Sequence, residues 1–395
     1  MEITSHPSLQ RVVRILGLTV LLVLNVSAAL AAAVFASEVY LAGQASDTQA
    51  EDHAKSAEAD ELVKRGYYPA GVQVDPYKQF EVLDRNPVYG WYWTTNEDGV
   101  LPRHSPVVSI DAHGFRGAGV SPKNPDARKR PLAFLIGGSS AFGFRASSDQ
   151  TTITAYLNRL QDDFQFVNAA VTGWDSSQEL TRLRLQLIGF APKLVVSYTL
   201  GNDLERVIEG LEDSGGWFQR LAFRLAPHTS DLAFSFLYRH LQILGNWLSQ
   251  GPSPAAFEAA VDAQVDAFVG NQESMYNLCK KNGIRFVTVI QAMTMTHDKV
   301  TIKGARPDLY RRGVKRALAS DYCKANCLNF SAVFDPLFDT VPVFFRDYAT
   351  PALGASADPS SVVFADQWHL LDAGNAIVAQ QLVADLGLLA ASPQH

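Results

Sequence analysis

Four short blocks of this 395-residue chain hold residue types that can do chemistry together. The first is Gly137-Gly138-Ser139-Ser140-Ala141-Phe142-Gly143, directly after the apolar run Leu132–Ile136. Its small residues let the backbone turn sharply and leave a serine hydroxyl exposed at the end of a strand. The spacing from Gly137 favours Ser139 over Ser140 for that part, and no P-loop or dinucleotide fingerprint follows. In the second block, Val171-Thr172-Gly173-Trp174-Asp175, a glycine can point its backbone N–H into a cleft. The third, Leu200-Gly201-Asn202-Asp203, carries a carboxamide able to donate to an oxyanion. In the fourth, Asp366-Gln367-Trp368-His369-Leu370, a carboxylate three residues before a histidine can accept its Nδ1–H. That bond fixes the tautomer and leaves Nε2 free as a base. Taken singly, each block is equally a plain turn or a helix start.

The elements between the blocks must bring them together. Leu132–Ile136, Phe166–Val171, Leu194–Leu200 and Ile284–Ile290 read as buried strands. Helices are signalled at Thr151–Leu160, Ser176–Ile188 and Pro254–Lys281. In the second helix, Ser176 and Glu179 fit a capping box, and Leu180, Leu183 and Leu187 share one face. Strands alternating with helices predict an α/β fold with a parallel sheet covered on both sides, in three α/β/α layers. Such sheets hold their sites beyond the carboxyl ends of the strands, where the first three blocks fall. Residues 204–251, with their own helical pattern, read as a cap-like insertion.

In this order and on successive elements, Gly-x-Ser, Gly, Gly-Asn-Asp and Asp-x-x-His-Leu resemble the SGNH (GDSL-type) hydrolase superfamily, over about residues 131–391. The resemblance implies a flavodoxin-like α/β/α domain in which Ser139 is the nucleophile. His369 would be the general base and acid, and Asp366 the group that orients it. The Ser139 N–H, the Gly173 N–H and the Asn202 side chain would form the oxyanion hole. No metal or organic cofactor is implied. The chain departs from the pattern at Gly138, where family members usually have Asp. Members with Gly-Gly-Ser are similar also in an upstream membrane helix and a Gly-Phe-Arg stretch, here Gly114-Phe115-Arg116. The implied activity is cleavage of acyl esters, esterase- or lipase-like or on O-acylated carbohydrate, so the partner is an acylated glycan or lipid. Two rivals share the fold: an exported O-acyltransferase acting on a polysaccharide, and a catalytically silent carbohydrate-binding protein.

Residues 15–36 form an uncharged run of 22, long enough to span about 30 Å of hydrocarbon as a helix. Arg11 and Arg14 precede it, and 37–62 holds seven acids against one lysine, so a short cytoplasmic tail (1–14) and export of everything later are expected. A cleaved signal peptide ending near Ala36 is the competing reading. Residues 37–75 read as a tether and 76–130, with Tyr89, Trp91 and Trp93, as an aromatic β-rich lead-in whose rings pack in a core or lid or stack on sugar. The net charge of −6 lacks the basic excess of a nucleic-acid binder. No histidine or cysteine spacing suggests a metal site. Of the three cysteines of an exported chain, two are candidates for a disulfide, first of all Cys279 with Cys323 or Cys327, against the equal alternative that they are packing cysteines. Arg116 and Arg145 are candidates for meeting an anionic substrate, against the alternative that they are paired or solvated.

Overall fold

The computed structural model describes Lys64, Tyr67, short strands between 83 and 100, and residues 103–117, 130–212, 253–297, 306–337 and 362–388. The predicted membrane helix (15–36), most of the tether and all but the first residues of the 204–251 insertion lie outside the described residues. Among the described residues no helix is long and apolar enough to cross a membrane. The chain divides into two compact units, and the architecture below belongs to the one formed by Lys55–Gly210 and Ser253–His395.

The lead-in forms antiparallel pairs: β1 (Leu83–Asn86) with β2 (Gly90–Trp93), β3 (Thr95–Asn96) with β4 (Gly99–Val100), and β5 (Arg103–His104) with β6 (Ser109–Ile110). Five parallel strands follow: β7 (Leu132–Gly137), β8 (Gln165–Asn168), β9 (Leu194–Thr199), β10 (Arg285–Ile290) and β11 (Cys327–Asn329). Their order across the sheet is β11-β10-β9-β7-β8. The helices are α1 (Ser139–Phe142), α2 (Ile153–Leu160), α3 (Ser176–Leu185), α4 (Gly201–Glu212), α5 (Pro254–Lys281), α6 (Pro307–Ala319), α7 (Asp321–Asn326) and α8 (Asp372–Leu386).

The central strands are apolar on both faces because both faces are covered. On β7, Ala133 and Leu135 pack with Leu157 of α2 and Val378 and Leu382 of α8. Leu132, Phe134 and Ile136, on the opposite face, join Leu183 of α3 and Met275 and Cys279 of α5. Period-two alternation thus feeds two cores, each worth about 1.5–3 kcal/mol per large side chain removed from water.

The structure corrects two expectations. Helix α3 is capped by Asp175, not Ser176: Asp175 Oδ1 accepts from Ser177 N–H and Gln178 N–H, and Gln178 closes the box. This frees Ser176 and Glu179 for the interior. Glu179 accepts the hydroxyls of Ser197 (2.9 Å) and Thr199 (2.7 Å) on β9. The disulfide joins Cys323 to Cys327, with Cα atoms 4.5 Å apart, across the end of α7. Cys279 cannot take part, because it points from α5 into the sheet core, fully buried and free. Burial alone pushes its thiol up to about 12.

Candidate active site

Each block leaves the sheet at the carboxyl end of a strand. β7 ends at Gly137, where φ is +149° and a Cβ would sit 2.3 Å from Tyr198 O on the neighbouring strand. Only glycine fits so close to β9, and the chain turns at once into α1, whose first residue is Ser139. Two arms grip that short helix. Arg116 donates to Phe142 O (3.1 Å) and Gly143 O (2.6 Å) at its carboxyl end and pairs with Asp149 at 2.9 Å. Ser140 Oγ donates to Trp368 O at 2.9 Å and accepts from Gln291 Nε2 at 3.2 Å, tying α1 to the loop of the fourth block. Ser140 is therefore committed to packing. So are the two arginines considered for an anionic substrate: Arg116 is buried on carbonyls and Asp149, and Arg145 is buried with its guanidinium over the Phe144 ring.

The fourth block arrives from the far end of the chain. Asp366 Oδ1 accepts the N–H groups of Trp368 (2.9 Å) and His369 (2.8 Å), which folds the block into a tight turn. Asp366 Oδ2 lies 2.7 Å from His369 Nδ1, and His369 Nε2 lies 2.9 Å from Ser139 Oγ. An ionised carboxylate can only accept, so Nδ1 carries the proton and Nε2 is left to accept from the serine hydroxyl. Phe144 backs the imidazole, with ring centroids 4.6 Å apart. Burial acts to raise the Asp366 carboxyl. The facing histidine, its hydrogen bond and the two backbone donors outweigh this and hold it at about 2, so Asp366 is a fixed negative charge.

Opposite the serine stand the second and third blocks. Gly173 has φ +72°, and neither its N–H nor that of Ser139 reaches an acceptor among the described residues. Asn202 opens α4 after Leu200, a non-glycine residue held at φ +102°. Its Nδ2 donates to Trp174 O at 2.8 Å and lies against Gly138. Gly201 is packed against Gln291, the side chain that also holds Ser140. Ser139, His369 and Asp366 thus meet in one relay, with the Gly173 loop and Asn202 beside the serine. Such an arrangement can generate an alkoxide-like nucleophile and offers donors to the oxygen of an attacked carbonyl. Among the described residues no cluster of His, Cys, Asp or Glu gathers to hold a metal.

The three side chains form a hydrogen-bonded Ser–His–Asp triad. No family model and no curated protein matches the chain. Solved structures do resemble it. One is an acetylxylan esterase from Geobacillus stearothermophilus, 14% identical with a TM-score of 0.40, covering 67% of this chain and 97% of that one. Another is a GDSL-like lipase from Bacteroides thetaiotaomicron, 14% identical with a TM-score of 0.34, covering 65% of this chain and 89% of that one. A lipase from a goat rumen metagenome is 12% identical, with a TM-score of 0.37 and coverage of 64% and 96%. At these identities and TM-scores, assignment of chemistry rests on the triad itself.

Sequence reading left out the residues that hold the site in place: Phe144 against His369, Asp149 on Arg116 and Gln291 on Ser140 around the triad, and Arg206 on Gly173 O. Only Arg206 carried a usable signal, lying one helical turn after Asn202.

Proposed function

We propose that this chain is a serine ester hydrolase of the SGNH type. The observation that carries the reading is the relay from Asp366 through His369 to Ser139, at 2.7 and 2.9 Å, built from residues 230 positions apart. Ser139 Oγ attacks the ester carbonyl as His369 Nε2 takes its proton. The developing oxyanion is met by the Ser139 and Gly173 N–H groups and the Asn202 carboxamide. His369 then gives its proton to the departing alcohol, and a water molecule activated in the same way releases the acyl group. Asp366 stays ionised throughout, keeping Nδ1 protonated and stabilising the imidazolium. Each oxyanion donor contributes about 10²–10³ in kcat.

The substrate class is an acylated glycan or lipid. The Arg11/Arg14 pair before the uncharged run 15–36 supports placement of the catalytic unit outside the cytoplasmic membrane and tethered to it. A fluorophosphonate probe should label the protein on Ser139, and Ser139→Ala should lose both label and p-nitrophenyl ester turnover. Adduct on Ser140, or turnover by Ser139→Ala, removes the reading. Acyl label appearing on an added oligosaccharide, with little free acid, would replace hydrolysis by transfer on the same triad.

A further inference from the structure

Oxyanion donors work only when the backbone that carries them is held in place before the reaction. Gly173 cannot hold itself. Its φ is +72°, and a Cβ built there would meet nothing within 4 Å, so neither a side chain nor crowding restrains the turn around it. The restraint comes from one face of α4. Asn202 Nδ2 donates to Trp174 O at 2.8 Å, and one turn later Arg206 Nη2 donates to Gly173 O at 3.0 Å. Two consecutive carbonyls of the loop are therefore drawn onto the helix that bears the carboxamide donor. The same guanidinium bonds Gln178 Oε1 at 2.8 Å and pairs with Asp175 Oδ2, the cap of α3. Arg206 thus joins the Gly173 loop, the start of α3 and the start of α4 through one planar fork. The side chain is nearly half exposed (47%). A surface arginine whose donors go to a glycine carbonyl and a helix cap is placed to shape the loop, since an exposed ion pair alone adds little stability.

We propose that Arg206 is a positioning residue of the oxyanion hole, its guanidinium fixing the Gly173 loop against α3 and α4 so that the Gly173 N–H and the Asn202 carboxamide are held for the same oxygen. The proposal rests on the ester-hydrolase reading above. It separates what Arg206 does from what stability requires, because the lost contact orders a donor that is used only once negative charge develops on the substrate oxygen. Loss of Arg206 should then appear in kcat and not in KM.

The test uses the full chain with Arg206→Met, which keeps the stem and removes every donor, and Arg206→Lys, which keeps the charge and a single donor group. On p-nitrophenyl acetate, Arg206→Met should lower kcat by about tenfold, a fraction of the effect of deleting a donor outright. KM should stay within about twofold and the melting temperature within a few degrees of wild type. Arg206→Lys should recover part of the lost kcat, and fluorophosphonate labelling of Ser139 should slow in the same order. Wild-type kcat in Arg206→Met overturns the proposal. So does a kcat loss that tracks a fall in melting temperature and is not recovered by lysine. A wild-type protein that hydrolyses no ester and leaves Ser139 unlabelled overturns the hydrolase reading itself, a result distinct from either of these.

Discussion

A Cβ on Gly138 would sit 2.3 Å from Asn202 Nδ2 and 3.0 Å from Trp174 O, so the residue before the nucleophile and the carboxamide donor compete for the same space. The backbone of Gly138, at φ −84°, would itself accept any residue. An Asp here would have to push Asn202 aside. Gly138→Asp is therefore expected to leave folding nearly intact while lowering kcat by about tenfold or more, because a donor is displaced and no core contact is lost. Steady-state kinetics beside a thermal melt checks this, and wild-type kcat in Gly138→Asp would show that Asn202 is not needed where it stands. Legibility at this scale follows the chemistry. Asp366 and His369 are three residues apart because the carboxylate turns its own backbone into the loop that presents the imidazole, so a local signature exists. Ser140 on Trp368, Gln291 on Ser140 and Phe144 on His369 are contacts between segments far apart in the chain, and no spacing announces them.

At the scale of elements, the strands were legible where burial on two faces imposes an apolar run, as in β7 and β9, and α5 where burial of one face imposes the helical spacing of Phe257, Val261, Val265 and Phe268. β11 was not: only three residues long, at the sheet edge and opened by a disulfide cysteine, it carries no apolar run. The α3 cap was misread because Ser176-x-x-Glu179 and Asp175-x-x-Gln178 both fit a capping box, and burial of Glu179 beneath β9 decides between them. One element contact ties the tether region to the site. The Tyr67 hydroxyl lies 2.9 Å from Asp372 Oδ1 and 3.1 Å from Arg145 O, and it accepts the Asp372 N–H at 3.1 Å. Asp372 begins α8 three residues after His369 and also binds Ser147 N–H and Oγ after α1. A residue read as linker thus joins the segment after α1 to the start of α8, three residues beyond His369. Tyr67→Phe removes the hydroxyl and keeps the ring, so it should cost about 1 kcal/mol of stability by urea unfolding. An unchanged unfolding midpoint would mean that the segment bearing Tyr67 does not dock in solution.

Across the whole molecule, the layer that covers the sheet on its α3 and α5 face buries two carboxyl groups, those of Glu179 and Asp203. Glu179 is fully enclosed by β9, α3 and the start of α4. The groups facing it are the Ser197 and Thr199 hydroxyls and the carboxylates of Asp203 and Asp175. Burial first, and Asp203 second, push its carboxyl up to about 8. Burial likewise raises Asp203 to about 7, although Ser176 and Gln264 donate to it. Arg206 is bound to Asp175 with its side chain nearly half exposed, and Arg182, buried on α3, donates to Gln186 Oε1 and to the carbonyls of Ala169, His113 and Gly114. A carboxyl raised from 4.5 to about 8 keeps a proton in the folded state that the unfolded chain has already released. Between those values the native state binds more protons, so this contribution to stability is whole below the unfolded value and is lost as pH rises through the folded one. Asp366 has the opposite sign: held at about 2, its contribution is present above 3.8 and disappears as pH falls toward 2. Stability should therefore peak in mildly acidic solution and decline toward pH 8–9. Glu179→Gln offers the two hydroxyls one carbonyl acceptor and one amide donor, as the protonated acid does, but has no proton to lose. The drop in unfolding free energy between about pH 5.5 and 8.5 should shrink in this variant by roughly 3 kcal/mol, at about 1.4 kcal/mol for each pH unit in which the proton counts differ. Urea titrations of both proteins across that range read the difference directly. Parallel declines in wild type and Glu179→Gln would show that Glu179 is ionised in the folded protein and that the pH dependence originates elsewhere.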